Sequence, residues 1–127
     1  MRRLALIRAL GPLGLLSAAL LLGACGERGT LDGARGDAER GRVLVARYHC
    51  GQCHAVPGVP AAGGRLGPAL DAYGRRSYIA GRWPNDPVRL ALWIAEPQAL
   101  AADTPMPDLG VSAGDARDIV AYLATLR

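Results

Sequence analysis

Residues 48–54 read YHCGQCH, and this stretch constrains the chain more than any other. It holds two of the three cysteines and both histidines of the protein. Cys50 and Cys53 are separated by two residues and His54 follows at once, so two thiols and an imidazole must lie close together in any fold. The chemistry of the protein is therefore expected here.

Three kinds of site use such a pattern. A structural zinc site needs about four ligands, and the other candidates, His49 and Cys25, are not placed like a second ligand pair. A thioredoxin-like dithiol needs a strand-helix-strand unit around its cysteines, and the sequence shows no clear strand pattern. Covalent haem attachment is the chemistry that Cys-x-x-Cys-His indicates by itself. Cys50 and Cys53 would then form the two thioethers and His54 would be the proximal iron ligand.

The composition favours the haem interpretation. Residues 37–127 contain two tryptophans, four tyrosines and no phenylalanine, and a domain of this size is near the lower limit for a self-sufficient core. Residues 55–74 carry Pro57, Pro60 and Pro68 among several glycines, which excludes long regular elements and indicates a loop that wraps around something. A haem would supply the missing apolar mass.

Capping residues predict three helices in an otherwise irregular chain. Asp37 caps a helix that runs to about residue 48, Asn85 or Asp86 caps one that ends before residue 97, and Ser112 caps the last. The apolar residues expected to face inwards in the second and third helices are Leu90, Ala91, Trp93, Ile94, Ala116, Ile119, Val120, Leu123 and Leu126.

One residue outside the motif is a candidate for the second axial position. His49 lies five residues before His54 on the same segment, so it is poorly placed to reach the opposite face of a haem. Met106 is the only methionine besides Met1, and it lies between two prolines, where no helical or strand periodicity explains it. The prolines stiffen the loop and lower the entropy lost on coordination. Met106 is therefore predicted to bind the iron, and His/Met ligation raises the reduction potential relative to harder donors.

The first 24 residues have the layout of a secretory signal peptide, with early arginines, an apolar run over 9–22 and small residues before Cys25. The ending LGAC resembles the lipobox of bacterial lipoproteins, which implies that Cys25 is lipidated. An uncleaved transmembrane helix is the alternative for the segment, and a spare thiol or disulfide partner is the alternative for Cys25. We predict a signal peptide over 1–24, a lipidated cysteine with a flexible linker over 25–36, and one folded domain over 37–127.

The charge of the predicted mature chain excludes one class of partner. Arginine supplies all fifteen basic residues, and three of them precede Cys25. The remaining twelve face eleven acidic residues, a net charge near +1 without a cationic cluster. Nucleic acid is therefore not predicted as a partner.

Four motifs in order give the chain a family resemblance: CGQCH, then LGPAL at 66–70, TPMP at 104–107 and DARDIVAYLATL near the end. Residues 37–127 resemble a small bacterial monohaem member of the class I (mitochondrial-type) cytochromes c. The resemblance implies an all-α fold of about three to five helices around one covalent haem, with crossed first and last helices. It also implies that the Pro68 carbonyl accepts a hydrogen bond from His54, and that Gly41 admits an aromatic ring such as Tyr122 at the crossing.

The segment RRSYIAGRW at 75–83 departs from the mitochondrial pattern. Guanidinium and indole donors suit carboxylates, so Arg75, Tyr78, Arg82 and Trp83 are candidates for the haem propionates. Of these four, Arg75 and Trp83 are retained as cofactor-binding predictions.

The expected function is electron transfer rather than catalysis. The chain would be a monomeric carrier on the periplasmic side of a bacterial membrane, held by a lipid at Cys25 and working in a respiratory chain. A quinol-oxidising complex or periplasmic dehydrogenase would be the donor, and a terminal oxidase or reductase the acceptor. A haem c enzyme or gas-binding sensor with a labile Met106 is the alternative function. An uncleaved N-terminal helix or a soluble periplasmic protein is the alternative location.

Overall fold

The structure, a computed structural model, describes residues 35–127. The predicted signal peptide, Cys25 and nearly all of the predicted linker lie outside the described residues. The described elements are the helices α1 (Ala38–Arg47), α2 (Pro87–Ala95), α3 (Pro97–Leu100) and α4 (Ala113–Thr125), 3₁₀ turns at Cys50–Gln52 and Tyr73–Arg75, and the strands β1 (Tyr78–Ile79) and β2 (Trp83–Pro84). Helices dominate, in agreement with the predicted fold class.

Short side chains cap the three longer helices, as the sequence predicted. Asp37 accepts a hydrogen bond from the amide of Arg40 at the start of α1. Asp86, not Asn85, caps α2, with Pro87 as its first residue. The Ser112 hydroxyl accepts from the backbone at the start of α4. Each cap satisfies one of the backbone donors that a helix start leaves unpaired.

Two short features, the helix α3 and the hairpin formed by β1 and β2, were not predicted. Helix α3 begins at Pro97, where the sequence predicted only an end, because Glu96 leaves helical geometry (φ −139°, ψ 65°) and the proline then starts a new turn. Strands β1 and β2 pair antiparallel, with Ile79 opposite Trp83. Two residues per strand are too few to produce a detectable alternation in the sequence.

The predicted crossing of the first and last helices is confirmed, since α1 packs on α4. The prediction for Gly41 is wrong in its partner. A Cβ at Gly41 would lie 1.9 Å from the carbonyl oxygen of Asp118, so the backbone of α4 occupies the space and not the ring of Tyr122. The Tyr122 hydroxyl instead donates to the carbonyl of Pro57, which belongs to the loop over residues 55–72 (the long loop).

A polar cluster fastens the same crossing. Asp118 is buried in α4, and its carboxylate accepts from the amide of Asp37 at 2.7 Å and from the guanidinium of Arg40. Arg40 also donates to Asp115, whose other carboxylate oxygen accepts from the Tyr48 hydroxyl at 2.7 Å. The hydrogen bond from Tyr48 is the main cause that lowers the pKa of Asp115.

The apolar core lies between the helices and the long loop. Its buried members are Leu44, Val45, Val56, Val59, Tyr73, Ile79, Leu90, Ile94, Val111, Ala116, Ile119, Val120, Tyr122 and Leu123. The inward faces predicted for the second and last helices are present, with Ala91, Trp93 and Leu126 partly buried at the edge of this core. No helix within residues 35–127 has the length and apolar character needed to cross a membrane.

Candidate cofactor site

A cavity of about 960 Å³ lies at the centre of the domain. Its walls come from α1, the 3₁₀ turn Cys50–Gln52 with Cys53 and His54 (the attachment turn), the long loop, the β1–β2 hairpin, α2, α4 and the loop that precedes α4. Cys50, Cys53, His54 and Met106 all line it, although Met106 is more than fifty positions away in the sequence. Cofactor pockets typically measure about 300–1,000 Å³, so the cavity can hold a large, mainly apolar group.

The attachment segment turns sharply out of α1. His49 has a positive φ of 57°, which ends the path of the helix, and the 3₁₀ turn Cys50–Gln52 follows. The carbonyl of Cys50 accepts from the amides of both Cys53 (3.2 Å) and His54 (2.9 Å). This tight turn brings both thiols and the imidazole into the wall of one cavity.

The long loop is held against this turn by backbone hydrogen bonds. The Gly64 amide donates to the Gly51 carbonyl at 2.9 Å, and the Gly67 amide donates to the Cys53 carbonyl at 2.8 Å. The two segments approach so closely that a Cβ at Gly64 would lie 2.3 Å from the carbonyl oxygen of Gln52. The loop is thus an ordered wall of the site, as its composition suggested.

The His54 imidazole is oriented by the same loop. Its Nδ1 lies 2.7 Å from the carbonyl oxygen of Pro68, the contact that the family resemblance implied. A carbonyl only accepts, so Nδ1 must carry the proton and donate. The tautomer is thereby fixed, and Nε2 keeps the lone pair needed to bind a metal. Gly67 makes room for the ring, because a Cβ there would lie 2.4 Å from Cε1.

Met106 is half-buried in the wall formed by the loop before α4. Its amide donates to the Thr104 hydroxyl at 3.2 Å, and its carbonyl accepts from the Gln98 side chain at 2.9 Å. Both backbone polar groups of Met106 therefore form hydrogen bonds with side chains, and not with the backbone of a helix or strand.

The segment over residues 75–83 contributes polar groups to the cavity, but not all those predicted. Trp83 lines it and lies against Trp93, with ring centroids 5.7 Å apart. Tyr78 and Arg82 line it as well. Arg75 is exposed and is not part of the lining, so the geometry does not support the cofactor contact predicted for it.

Arg76 takes the position expected of Arg75. Arg75 ends the 3₁₀ turn and Arg76 follows it in extended backbone (φ −75°, ψ 137°), so the two adjacent side chains point in different directions and only Arg76 lines the cavity. The guanidinium of Arg76 lies 5.1 Å from the ring centroid of Tyr73 and donates to the carbonyl of Ala69. The sequence carries the signal of a paired arginine at 75–76, but the choice between the two depends on backbone rotation.

The other two chemistries considered for the motif find no support in this geometry. Within residues 35–127, no three histidine, cysteine, aspartate or glutamate side chains cluster in a way that could hold a zinc ion. A reactive dithiol needs a lowered thiol pKa, whereas burial raises the pKa of the Cys50 thiol.

The profile of the Cytochrome c family matches residues 38–127, which is more than half of the chain. The chain belongs to the cytochrome c family. Its fold is that of class I cytochrome c, and its cofactor is covalently bound haem c, as predicted. A comparison with curated proteins found no match.

The residues of the cavity fit this cofactor. Cys50 and Cys53 supply the two thiols of a CXXCH-type attachment site, and His54 supplies an imidazole with a free Nε2. Arginine and indole donors lie in the same wall, and such donors suit carboxylates. When bound, the haem iron supplies one-electron redox chemistry.

Proposed function

We propose that this cytochrome is a monohaem electron carrier, held by a lipid at Cys25 on the periplasmic side of a bacterial membrane, and that it works in a respiratory chain. Thioether attachment at Cys50 and Cys53 and axial ligation by His54 and Met106 are parts of the proposal. The observation that carries it is the convergence of these four side chains on one cavity.

Ligation by Met106 distinguishes a carrier from an enzyme or a sensor. A protein that only passes electrons needs no open coordination position, whereas gas binding and catalysis do. A thioether that stays on the iron in both oxidation states also keeps structural change small during transfer. The oriented imidazole and the Met106 loop are what this chain contributes to such rigidity.

The test compares Met106→Ala with Leu109→Ala. Leu109 belongs to the same loop and is 42% exposed, and it does not line the cavity, so its replacement controls for loop disturbance. Met106→Ala should lower the reduction potential and allow carbon monoxide to bind the reduced protein promptly. Leu109→Ala and the wild type should resist carbon monoxide. Prompt binding to the wild type would favour the alternative, a haem c enzyme or gas-binding sensor with a labile methionine.

Arg76, Arg82 and Trp83 are proposed as the partners of the haem propionates. The support is their place in the cavity wall together with the donor groups they carry. Arg76→Gln should lower the reduction potential. A nearby cation repels oxidised iron more than reduced iron, so its removal favours the oxidised state. Arg75→Gln, one position away and outside the lining, is the matched control and should leave the potential nearly unchanged.

The redox partners are proposed from the resemblance to small bacterial cytochromes c. The donor would be a quinol-oxidising complex or periplasmic dehydrogenase, and the acceptor a terminal oxidase or reductase. The cytochrome would meet them as a monomer. Leu66 lines the cavity and is 88% exposed, which offers an apolar contact at the rim. Leu66→Ser should slow reduction by the donor at an unchanged reduction potential.

The membrane anchor is proposed from the LGAC ending before Gly26. Cys25→Ser should move the cytochrome from the membrane to the soluble periplasmic fraction. Membrane association that persists in this variant would instead support an uncleaved N-terminal helix. A wild-type protein found only in the soluble fraction would exclude both forms of anchoring.

A further inference from the structure

We propose that Gln98 and Thr104 are positioning residues for Met106, and that they set how readily an external ligand replaces the methionine on the iron. The inference rests on the proposed ligation by Met106. It concerns residues of this chain that touch the backbone of Met106 and do not touch the iron.

Burial alone does not anchor the loop that carries Met106. Ala101 and Val111 are buried, at 7% and 6% exposure. Every residue between them is exposed or only half-buried. A segment with so little apolar packing belongs to the part of a fold that opens most easily. Its position must therefore depend on polar contacts and on the stiffness of its backbone.

The flanking prolines fix the shape of the loop but not its place. Pro105 and Pro107 each have a restricted φ, and each also restricts the residue before it. These restraints act within the loop. The Thr104 hydroxyl adds to them, because it accepts from the Met106 amide two residues on, at 3.2 Å. The result is a preformed local turn around the methionine.

The Thr104 amide donates to the carbonyl of buried Ala101 at 3.1 Å, and Gln98 ties the turn to α3. Its side-chain nitrogen donates to the Met106 carbonyl at 2.9 Å across eight residues of sequence. Gln98 follows Pro97, which is less than 2% exposed, so α3 offers a fixed point. A second side-chain contact between the loop and the rest of the domain, Arg82 with Asp103, is an exposed ion pair at 3.7 Å, which is too long for a hydrogen bond and contributes little.

The two bonds should retain Met106 on the iron rather than create the iron-sulfur bond. Release of the thioether requires the loop to move away, and each hydrogen bond lost beforehand lowers the cost of that movement. A net contribution of about 1 kcal/mol per bond corresponds to about a fivefold change in an equilibrium or rate. Removal of either bond is therefore expected to speed ligand replacement about fivefold.

The experiment uses paired variants of the haem-loaded protein. Gln98→Glu keeps the size of the side chain but replaces the donor with a carboxylate that only accepts. Ala99→Glu adds the same charge at an exposed neighbour on α3 and is its control. Thr104→Val removes the acceptor, and Thr104→Ser retains it.

Two measurements report on position rather than on electron-transfer activity. The first is the rate at which imidazole abolishes the iron-thioether absorption band of the oxidised protein. The second is the hydrogen-exchange rate of the Met106 amide. Gln98→Glu and Thr104→Val should raise the imidazole rate about fivefold, and Thr104→Val should also speed exchange of the amide. Ala99→Glu and Thr104→Ser should behave as the wild type.

The outcomes separate the two proposals. If the wild type shows the thioether band but Gln98→Glu equals Ala99→Glu and Thr104→Val equals Thr104→Ser, the positioning role is overturned and Met106 ligation stands. If the wild type lacks the band and matches Met106→Ala in its imidazole rate, both proposals are overturned. Gln98→Glu and Thr104→Val should each lower the free energy of unfolding by no more than about 1 kcal/mol, the contribution of one hydrogen bond, and their two controls should unfold as the wild type does.

Discussion

Replacement of Gly67 by alanine should displace the imidazole of His54. A Cβ at this position would lie 2.4 Å from Cε1 of the ring and 2.7 Å from Nδ1. Ordinary van der Waals contact begins at 3.4 Å, so the ring or the loop must retreat by about 1 Å, the difference between 3.4 and 2.4 Å. The ring is held by its hydrogen bond to Pro68 and by its place next to the attachment turn, so it cannot retreat without cost.

Two effects determine the magnitude. Overpacking of this kind costs about 1–3 kcal/mol. The bond from Nδ1 to the Pro68 carbonyl, now 2.7 Å long, would lengthen beyond the usual range and forfeit about 1 kcal/mol. Together they predict a loss of about 2–4 kcal/mol in the free energy of unfolding. The imidazole also becomes a weaker donor without this bond, which disfavours ferric iron and raises the reduction potential.

Gly63→Ala is the matched control. Gly63 lies in the same loop, and a Cβ there would meet nothing within 4 Å. This substitution should be neutral or stabilise by up to about 1 kcal/mol, through the entropy of the unfolded chain. Denaturant unfolding and potentiometric titration of both haem-loaded variants provide the assay. If Gly67→Ala matches Gly63→Ala in unfolding midpoint and potential, the close contact between loop and imidazole does not exist as described.

Two further predictions concern the crossing of α1 and α4. Gly41→Ala should destabilise the protein by about 3 kcal/mol or more, because its Cβ would lie 1.9 Å from the backbone carbonyl of Asp118. The control is Gly114→Ala, whose Cβ would have its nearest neighbours at 3.9 Å and which should stabilise α4 by about 0.5–1 kcal/mol. Equal thermal midpoints of the two variants would contradict the described packing of α1 on α4. The hydrogen bond from Tyr48 lowers the pKa of Asp115, so its stabilising effect is present at neutral pH and is lost as the pH falls below about 4. Urea midpoints should therefore fall less between pH 7 and pH 3 in Tyr48→Phe than in the wild type, and parallel curves would contradict this.

The sequence could predict those features that depend on neighbouring residues. Cys50, Cys53 and His54 are contiguous, so no fold can separate them, and the helix caps act within one turn. Met106 was predicted by elimination in a chain with one other methionine. Its arrival in the same cavity depends on the fold, and only the structure brings the two ends of the site together.

What the sequence could not predict depends on backbone direction. Arg75 and Arg76 are identical in type and adjacent, and the change from the 3₁₀ turn to extended backbone between them places only the second in the cavity wall. The partner of Gly41 was also missed, because a glycine pattern indicates close approach but not which atoms approach. Such choices are made by tertiary packing, which propensity does not encode.

The glycines of the attachment region explain how a chain without phenylalanine can build a site for so large a group. A Cβ would lie 2.6 Å from Ala62 at Gly51, 2.3 Å from Gln52 at Gly64 and 2.4 Å from the imidazole at Gly67. The loop and the attachment turn therefore meet backbone to backbone, joined by amide-carbonyl bonds instead of interlocked side chains. Walls made in this way leave the central volume to the cofactor. The apolar surface that the few large side chains do not provide is thus expected to come from the macrocycle. Removal of the haem should cost the loop its order before it unfolds the crossed helices, because α1 and α4 are also joined by contacts outside the cavity, such as those of the Asp118 carboxylate with Asp37 and Arg40.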